Sequence, residues 1–575
     1  MPREGRKPYT GFGRKLVVAL DVGTTFSGIS YCILDPGQVP EIKAVTRFPA
    51  AENSETMSEA SKIPTILYYD AEGNVKAVGA ETTEEGIFER AMDEGWTKVE
   101  WFKLHIRPQS ETSNDVKSRL PPLPQGKTVV QVLADFLRYL RRCAKRFIQD
   151  THIGGEDLWR TLEPYMHYVI THPNGWEGYQ QSQIRKAVVQ ARLIADRPSG
   201  HDRVTFVTEG EASLHFAIEN GLSLIEKGEG VIIVDAGGGT VDISAYKKAS
   251  DPKERDMFEE IAIPQCHFFG SVFVSIYARQ LLEELLAESP FIDDLDHIIR
   301  CFDKSTKIRF TSDKQPQYIR FGGTRDNDES CNIRFGQLKL EGSQVATFFE
   351  PSIKCITEAL KAQIRNSQTH VVLVGGFSAS NWLHAKVSEA LKPLWVTIFR
   401  PQNYVNKAVS DGSVAFHLDR MVTVRIAKYT YGTTTMDGSK RVPKCFSICV
   451  SKNTPVNENQ EFVDAVDYLF DSETPSDTRV NLVLYRYTGE DTNPKWRDVD
   501  PDKYDKLCRL EADVSHLPRV LIPKKNGKSG TYWMIKARMV LSFGTQELRA
   551  QVAWKEANGT EKRSPVTIVY EPNNV

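Results

Sequence analysis

Two short turns that join aspartates to glycines and threonines are the chemically most suggestive segments of the sequence. One is Asp21-Val22-Gly23-Thr24-Thr25, and the other is Asp235-Ala236-Gly237-Gly238-Gly239-Thr240. Glycine lets backbone N–H groups approach phosphate oxygens, and threonine hydroxyls add further donors. The pattern therefore predicts two phosphate-binding turns.

The aspartates of these turns require a cation. Asp21 and Asp235 cannot bind phosphate directly, because like charges repel. Carboxylates beside a phosphate cradle are typical of a site in which Mg²⁺ lies between them, partly through its waters. Asp242 follows Thr240 by two residues and is expected on the same face of a strand. We therefore expect Asp21, Asp235 and Asp242 to surround Mg²⁺.

A third turn, Gly375-Gly376-Phe377-Ser378, carries no carboxylate. Its two glycines would let a flat or bulky group press against the backbone. A nucleoside fits such a turn, as does simple close packing. Ser378 or Ser380 is expected to cap the helix that follows.

Each turn ends a short apolar run that is typical of a strand buried on both faces. The runs are Leu16–Leu20, Val231–Val234 and Val371–Val374. The first two turns lead into second strands, predicted over Phe26–Leu34 and Val241–Tyr246. One such turn alone would be an ordinary glycine-rich strand end of an α/β enzyme. Two similar hairpins, followed by a Gly-Gly turn, favour two lobes of similar design that bind a nucleotide.

Length and composition set wider limits. A chain of 575 residues predicts about two to four domains. A formal net charge of −2, with 26% charged residues, gives no reason to expect nucleic acid or an anionic membrane as a partner. No apolar run approaches the roughly 20 residues of a membrane-spanning helix. Nine scattered cysteines are expected to be reduced thiols of a cytosolic protein.

These motifs resemble those of the seventy-kilodalton heat-shock chaperones. The first turn resembles the first phosphate motif of that family, Asp235–Asp242 resembles the second, and Val374–Ser378 resembles the adenosine motif. The match covers most of residues 15–420 and extends more loosely to the C-terminus. The variant Gly-Gly-Phe-Ser is most similar to the divergent, lid-less branch of the family.

The resemblance implies an α/β, two-lobed actin-like ATPase fold of duplicated ribonuclease-H-like lobes, followed by a small β-domain. The implied divisions are a flexible tail over 1–14, lobe I over 15–203, lobe II over 204–420, whose last segment packs back on lobe I, and a β-domain over 421–575. Alternating strands around 480–484 and 548–554, with a turn at Asn558-Gly559, independently predict that β-domain. Further strands are predicted over Tyr532–Phe543 and Pro565–Tyr570.

The resemblance also assigns roles to side chains. Phosphate contacts fall on Gly23, Thr24, Thr25, Gly237, Gly238, Gly239 and Thr240, and Mg²⁺ on Asp21, Asp235 and Asp242. Lys103 stands where the family has a lysine that faces the γ-phosphate. Glu209 and Pro173 stand where the family has residues that link nucleotide state to domain motion. The implied catalytic set is Asp235, Lys103, Thr240 and Glu209.

Several positions depart from the family pattern. Gly210 replaces a proline, Phe269-Gly270 replaces a Gly-Gly pair, and Ala379 replaces the arginine that covers the base. The remaining residues that the resemblance assigns to the nucleoside are Gly270, Asp303, Lys307, Gly375, Gly376 and Phe377. Phosphate and metal chemistry is therefore better supported than adenine binding.

Two further segments bear on partners. Thr128–Asp150 predicts an amphipathic helix with a basic face, which is either solvated or binds acidic partners. The sequence shows neither the family's acidic-apolar linker nor a long helical lid after the β-domain, so a bound peptide is expected to exchange rapidly.

The expected function is Mg²⁺-dependent ATP binding with slow hydrolysis, coupled to lobe motion. Residues 421–575 would bind client polypeptides or a specific protein partner, with co-chaperones as further partners. The expected cofactors are ATP or ADP and Mg²⁺, with K⁺ as an additional candidate, and the expected location is the cytoplasm or else the nucleus. The alternatives are a nucleotide-sensing scaffold without turnover, and a small-molecule kinase, for which no catalytic base is evident.

Overall fold

The structure is a computed structural model. It describes residues 6–48, 62–107, 120–176, 178–220, 222, 225–250, 257–364, 369–401, 407–435, 445–470, 479–513, 517, 519–523, 530–543, 547–556 and 558–564. The chain forms two compact units. The first contains most of the chain up to Met421, and the second contains the chain from Val422 together with Glu177–Ser182 and Phe258–Ile263.

The first lobe is built on a sheet with the order β3-β2-β1-β8-β9. Its hairpin pairs β1 with β2, and β1 also pairs in parallel with β8. The strands of this part of the chain are β1 Lys15–Asp21, β2 Phe26–Leu34, β3 Lys43–Ala44, β4 Lys62–Pro64, β5 Ile66–Tyr69, β6 Val75–Val78, β7 Thr97–Glu100, β8 His167–His172 and β9 Val204–Thr208. The helices are α1 Ile87–Asp93, α2 Val129–Thr151, α3 Gly155–Leu162, α4 Tyr179–Gln190 and α5 Pro198–His201.

The second lobe repeats this arrangement. Its hairpin pairs β10 with β11, and β10 pairs in parallel with β17. The strands are β10 Gly230–Ala236, β11 Val241–Lys248, β12 Phe258–Glu260, β13 Gln265–His267, β14 Gln317–Arg320, β15 Ile333–Arg334, β16 Gln337–Leu340, β17 Thr369–Val374 and β18 Thr397–Phe399. The helices are α6 Glu209–Glu219, α7 Ser271–Leu285, α8 Leu295–Cys301, α9 Lys307–Arg309, α10 Gly342–Gln363, α11 Asn381–Leu391 and α12 Ala408–Asp419.

The predicted α/β class, with two similar hairpin lobes, is confirmed. Every residue of β1 except Lys15 is buried, as expected for a strand covered on both faces. β9, which was expected to open lobe II, pairs with β8 in the first sheet. Within the segment expected to be a flexible tail, the Arg6 guanidinium lies 2.7 Å from Asp419 and 2.6 Å from Glu219.

The second unit is a β-sandwich. One sheet has the order β21-β20-β24-β25 and the other β23-β27-β28-β29, with β26 on β27, and buried side chains of both sheets share one core. β19 pairs in parallel with β12 and antiparallel with β22. The strands are β19 Val422–Ile426, β20 Thr430–Thr435, β21 Cys445–Val450, β22 Pro455–Asn457, β23 Glu461–Phe470, β24 Arg479–Tyr487, β25 Tyr504–Asp513, β26 Val520–Pro523, β27 Thr531–Ser542, β28 Arg549–Lys555 and β29 Glu561–Arg563.

Most of the predicted β-domain strands are present. β24, β27 and β28 cover the alternating segments, and Gly559 takes the left-handed backbone (φ 84°) that its hairpin turn requires. Pro565–Tyr570 lies outside the described residues. Among the helices of the described ranges, none is both long and apolar enough to cross a bilayer.

The predicted basic helix is α2. Thr128 caps its first turn by accepting the Gln131 N–H. Several of its arginines form surface ion pairs: Arg138 with Asp135 at 2.7 Å, and Arg142 with Glu81 at 2.9 Å. The basic face is therefore partly neutralised within the chain, which favours the solvated alternative.

Candidate functional site

The two predicted phosphate turns lie against each other. Thr24 and Thr25 of the first turn pack on Gly239 and Gly238 of the second. A methyl group built on Gly238 would overlap the Thr25 side chain, and one on Gly239 would overlap Thr24. The absence of side chains at these two glycines is what allows the approach. The two turns are therefore in direct contact with each other.

The start of α7 holds the second turn in place. The backbone N–H groups of Ser271 and Val272 donate to the carbonyls of Gly237 and Gly238, at 3.1 and 2.9 Å. Gly270 N–H donates to the Gly239 carbonyl at 3.2 Å. Three carbonyls of the turn are thus fixed by one helix end. Gly270, predicted to contact the nucleotide, lies against the turn itself.

A row of residues crosses three strands at the first hairpin. Asp21 of β1 pairs with Gly28 of β2, and Gly28 pairs with Lys62 of β4. Across Gly28, the Lys62 ammonium reaches the Asp21 carboxylate, with Nζ and Oδ2 2.9 Å apart. Thr171 donates to the other oxygen of Asp21 at 3.1 Å. Lys62 was not identified from the sequence, since only the strand register brings it to Asp21.

The equivalent row at the second hairpin runs Asp235, Asp242 and Cys266 over β10, β11 and β13. Ser213 donates to the Asp235 carboxylate at 3.0 Å, and the Asn174 backbone N–H donates to Asp242 Oδ1 at 2.6 Å. Asp242 Oδ2 is buried and has no hydrogen-bond partner among the described residues.

Burial leaves these two carboxyl groups with perturbed acidity. It raises the pKa of Asp235 to about 7, and the nearby Glu209 carboxylate adds to the rise. The pKa of Asp242 is raised well above its usual range by burial and by the charges of Glu209 and Asp235. These two carboxyl groups therefore hold their protons to higher pH than ordinary aspartates do.

A buried ion pair lies beside the two rows. Lys103, in a 3₁₀ turn over Phe102–Ile106, contacts Glu209 at the start of α6. Its ammonium also lies 5.8 Å from the centre of the Trp176 ring. Burial opposes the charge of Lys103, but Glu209 and Asp21 outweigh it and raise the lysine pKa. The structure thus places Lys103 and Glu209 together, next to the aspartates.

The charges of this cluster fit a divalent cation. Asp21, Glu209, Asp235 and Asp242 are buried carboxylates, whereas Lys62 and Lys103 are the ammonium groups that contact them. The excess of two carboxylates, with one oxygen of Asp242 unpartnered, matches the charge and oxygen preference of Mg²⁺. In the described part of the chain no three acidic, His or Cys groups converge into a direct metal cluster.

The predicted adenosine turn lies next to the second hairpin. Gly375 follows the strand partner of Asp235 and has a φ of 86°. A methyl group on Gly375 would overlap the Asp235 carboxylate, whereas one on Gly376 would meet nothing within 4 Å. Phe377 stacks on Phe349 with ring centres 6.1 Å apart. Ser380 caps α11 by accepting the Leu383 N–H at 3.2 Å, which settles the two predicted caps in its favour.

The predicted adenine residues form a separate polar trio. Lys307 donates to Asp303 at 3.0 Å and to Ser275 of α7 at 2.9 Å. The structure brings Asp303 and Lys307 together, and Ser275 in turn donates to Asp303. Arg400 was missed by sequence reasoning: it donates to the Ser378 carbonyl at 3.2 Å, beside the position where Ala379 replaces the expected arginine.

Asn174 ties the two lobes together next to Pro173. Its side-chain amide donates to Ser244 Oγ at 3.0 Å and to the Gln265 carbonyl at 3.1 Å. A methyl group on Gly210 would overlap Ser244 and lie 2.9 Å from Asn174 Oδ1. Glycine in place of the family proline therefore leaves room for this link, another feature that the sequence did not reveal.

Comparison with known proteins places the chain in context. The mouse Heat shock 70 kDa protein 12A (Mus musculus) is 23% identical over 507 residues, covering 72% of this chain and 71% of the relative, and its human counterpart is 22% identical. Chaperone protein DnaK of Stenotrophomonas maltophilia (strain R551-3) is 23% identical over 596 residues, covering 97% of this chain and 84% of the relative. No family model matches the chain.

Proposed function

Because the chain is a distant relative of the 70-kDa heat-shock proteins, we propose that it binds Mg·ATP between its two hairpins and hydrolyses it slowly. The observation that carries this proposal is the contact of Thr24 and Thr25 with the two glycines of the second turn, beside a cluster with an excess of two carboxylates. Few ligands other than a metal-bound polyphosphate suit donors and buried carboxylates in such proximity.

We assign the residues of the site the following roles. Backbone N–H groups of the two turns, with the hydroxyls of Thr24, Thr25 and Thr240, would bind phosphate oxygens. Asp235 and Asp242 would hold Mg²⁺ through water, and Mg²⁺ would offset the negative charge of the phosphates. Lys103 would stabilise the charge transferred to the γ-phosphate, and Glu209, with which it forms an ion pair, would position it.

Asn174 and Glu209 supply a physical route to lobe motion. Asn174 in the first lobe holds β11 in the second, and Glu209 begins α6, whose Ser213 holds Asp235. A change at the phosphates that moves Asp235 or Asp242 would be transmitted to both connections. This supports the coupling of nucleotide state to a hinge motion of the lobes.

The β-sandwich is the proposed site of protein binding. β26 pairs with β27 and exposes Val520 and Leu521 by about half of their surface. Val463 on β23 is similarly exposed. Apolar side chains on outer strands are suited to the binding of an extended peptide.

Single-turnover hydrolysis of ATP tests the enzymatic part of the proposal. The wild-type chain with Mg²⁺ and K⁺ should convert ATP slowly, and Lys103→Ala should lower the rate at least about a hundredfold. Lys103→Arg is the matched control, since it keeps the charge and its pairing with Glu209. Equal rates in the wild-type and Lys103→Ala chains would refute the role of Lys103.

A nucleotide-sensing scaffold is the second candidate. It is favoured by the engagement of Lys103 with Glu209 and by Ala379 at the position of the expected base-covering arginine. Tight Mg·ATP binding without any turnover of bound ATP would select this candidate over the ATPase.

A further inference from the structure

The cation at the first hairpin belongs to the protein itself. Lys62 extends across the bare backbone of Gly28 to Asp21, whose side chain is only 3% exposed, while the Lys62 side chain retains 19% exposure. A methyl group on Gly28 would lie 3.6 Å from Lys62 Cε and 3.2 Å from Ser410 Oγ. The strand register thus places Lys62 opposite Gly28, from where its side chain reaches Asp21.

The electrostatic reach of Lys62 extends beyond Asp21. Burial raises the pKa of both Asp235 and Glu209, and the Lys62 charge opposes that rise in each case. The ammonium therefore acts on carboxylates of both lobes. The Lys62 ammonium is therefore attracted by the same carboxylates that would attract a metal ion at this site.

We propose that Lys62 is a phosphate-binding lysine that takes over part of the role of the metal and gives this chain a metal-independent mode of nucleotide binding. The inference rests on the proposed function of the site and concerns how that site carries its charge. When Mg²⁺ is absent, Lys62 turns from Asp21 to the polyphosphate. When Mg²⁺ is present, the metal offsets the phosphate charge and Lys62 remains paired with Asp21.

The second hairpin has different residues at the positions equivalent to Gly28 and Lys62. In the second row Asp242 occupies the place of Gly28 and Cys266 the place of Lys62, so no ammonium crosses that hairpin. The resident cation and the site for an external cation thus lie on opposite turns. A polyphosphate between the turns would have positive charge on both sides.

Equilibrium binding of ATP to the full chain, with Mg²⁺ and with excess EDTA, tests the proposal. Asp21→Asn keeps the shape of the site and frees Lys62, so its ATP affinity in EDTA should equal or exceed that of the wild type. Asp21→Asn/Lys62→Met should bind ATP in EDTA at least about tenfold more weakly than Asp21→Asn alone. With Mg²⁺ the same two variants should differ less than about threefold.

Because both variants carry Asp21→Asn, neither leaves an unpaired carboxylate at position 21. Melting temperatures check that both variants fold. Lys43→Met, on the neighbouring β3, is the control for loss of a lysine and should leave both affinities unchanged. Equal affinities of Asp21→Asn and Asp21→Asn/Lys62→Met in EDTA would overturn the role of Lys62. A wild-type chain that binds no ATP in either condition would instead overturn the proposed function itself.

Discussion

The two hairpins share a backbone plan but differ in how their charges are balanced. At the first, Asp21 is neutralised by Lys62 across the bare Gly28. At the second, Asp235 and Asp242 lie side by side without a contacting ammonium of that kind in the described chain, and both have raised pKa values because of burial and of neighbouring carboxylates. The repeated motif therefore forms one turn whose aspartate is paired with a lysine and one turn whose two aspartates are not.

This difference shows why a motif alone does not specify a site. The two turns have similar sequences, yet the residues on the two strands beside each aspartate decide whether the turn is neutral or negative. The two hairpins share a backbone geometry, but the residues beside their aspartates differ. These are Gly28 and Lys62 at the first hairpin and Asp242 and Cys266 at the second. The following predictions are arranged from the largest expected effect to the smallest.

The strongest test of the second hairpin is Gly375→Ala. The positive φ of Gly375 and the overlap of a methyl group with Asp235 should destabilise the fold by about 2–5 kcal/mol and abolish Mg²⁺-dependent ATP binding. Denaturant unfolding and ATP titration measure the two effects. Gly376→Ala, with open space around its methyl group, should stay within about 1 kcal/mol of the wild type. Similar losses in both variants would show that the turn, not its contact with Asp235, matters.

The buried ion pair between Lys103 and Glu209 provides the next test. Lys103→Met should destabilise the chain by about 3–5 kcal/mol, because Glu209 is left buried without its partner. Glu209→Gln in the same chain should recover most of that loss, as urea unfolding would show. If the double variant were as unstable as Lys103→Met, packing rather than charge would explain the cost.

The pH dependence of metal binding should separate the two hairpins. Mg²⁺ requires the deprotonated carboxylate of Asp235, whose pKa is raised to about 7, so affinity should rise up to about tenfold per pH unit below pH 7 and level off above it. In the metal-free chain the sign is opposite for stability: the raised pKa means that stability is lost as the pH rises from the unfolded value through about 7.

Calorimetric Mg²⁺ titrations between about pH 6 and about pH 8 check this expectation. Asp235→Asn should weaken the dependence and leave the part that Asp242 contributes, whereas Asp21→Asn should retain it in full. A profile that is flat in the wild type would contradict the assignment of the metal to the second hairpin.

The smallest expected effects come from the two hydroxyls that donate to the aspartates. Ser213→Ala removes the donor to Asp235 and should weaken Mg²⁺ binding about tenfold. Thr171→Val removes the equivalent donor to Asp21 and should weaken it less than about threefold, since Lys62 still holds that carboxylate. Comparable losses in both variants would mean that the hairpins are electrostatically equivalent.

The sequence predicted the parts of the site that depend on local chemistry. The strand-turn-strand runs around Asp21 and Asp235 are read directly from buried apolar residues and glycines, and they appear where expected. Lys103 and Glu209 were assigned through a family resemblance, and the structure pairs them.

The features that the sequence did not predict depend on register and on contacts between distant segments. Lys62 meets Asp21 only because β4 adds to β2 in one particular register. Asn174 reaches β11 from the other lobe, and Arg400 reaches the Ser378 carbonyl from the end of β18. No local pattern encodes these contacts, since each partner lies in a separate element.

The most direct test of a single metal-nucleotide site between the hairpins is ATP binding with and without Mg²⁺ in the wild type and in Asp21→Asn/Asp235→Asn, with melting temperatures to verify folding. We expect Mg²⁺ to strengthen ATP binding by the wild type and to have no effect on the double variant. Undiminished Mg²⁺-dependent binding in the double variant would contradict the account.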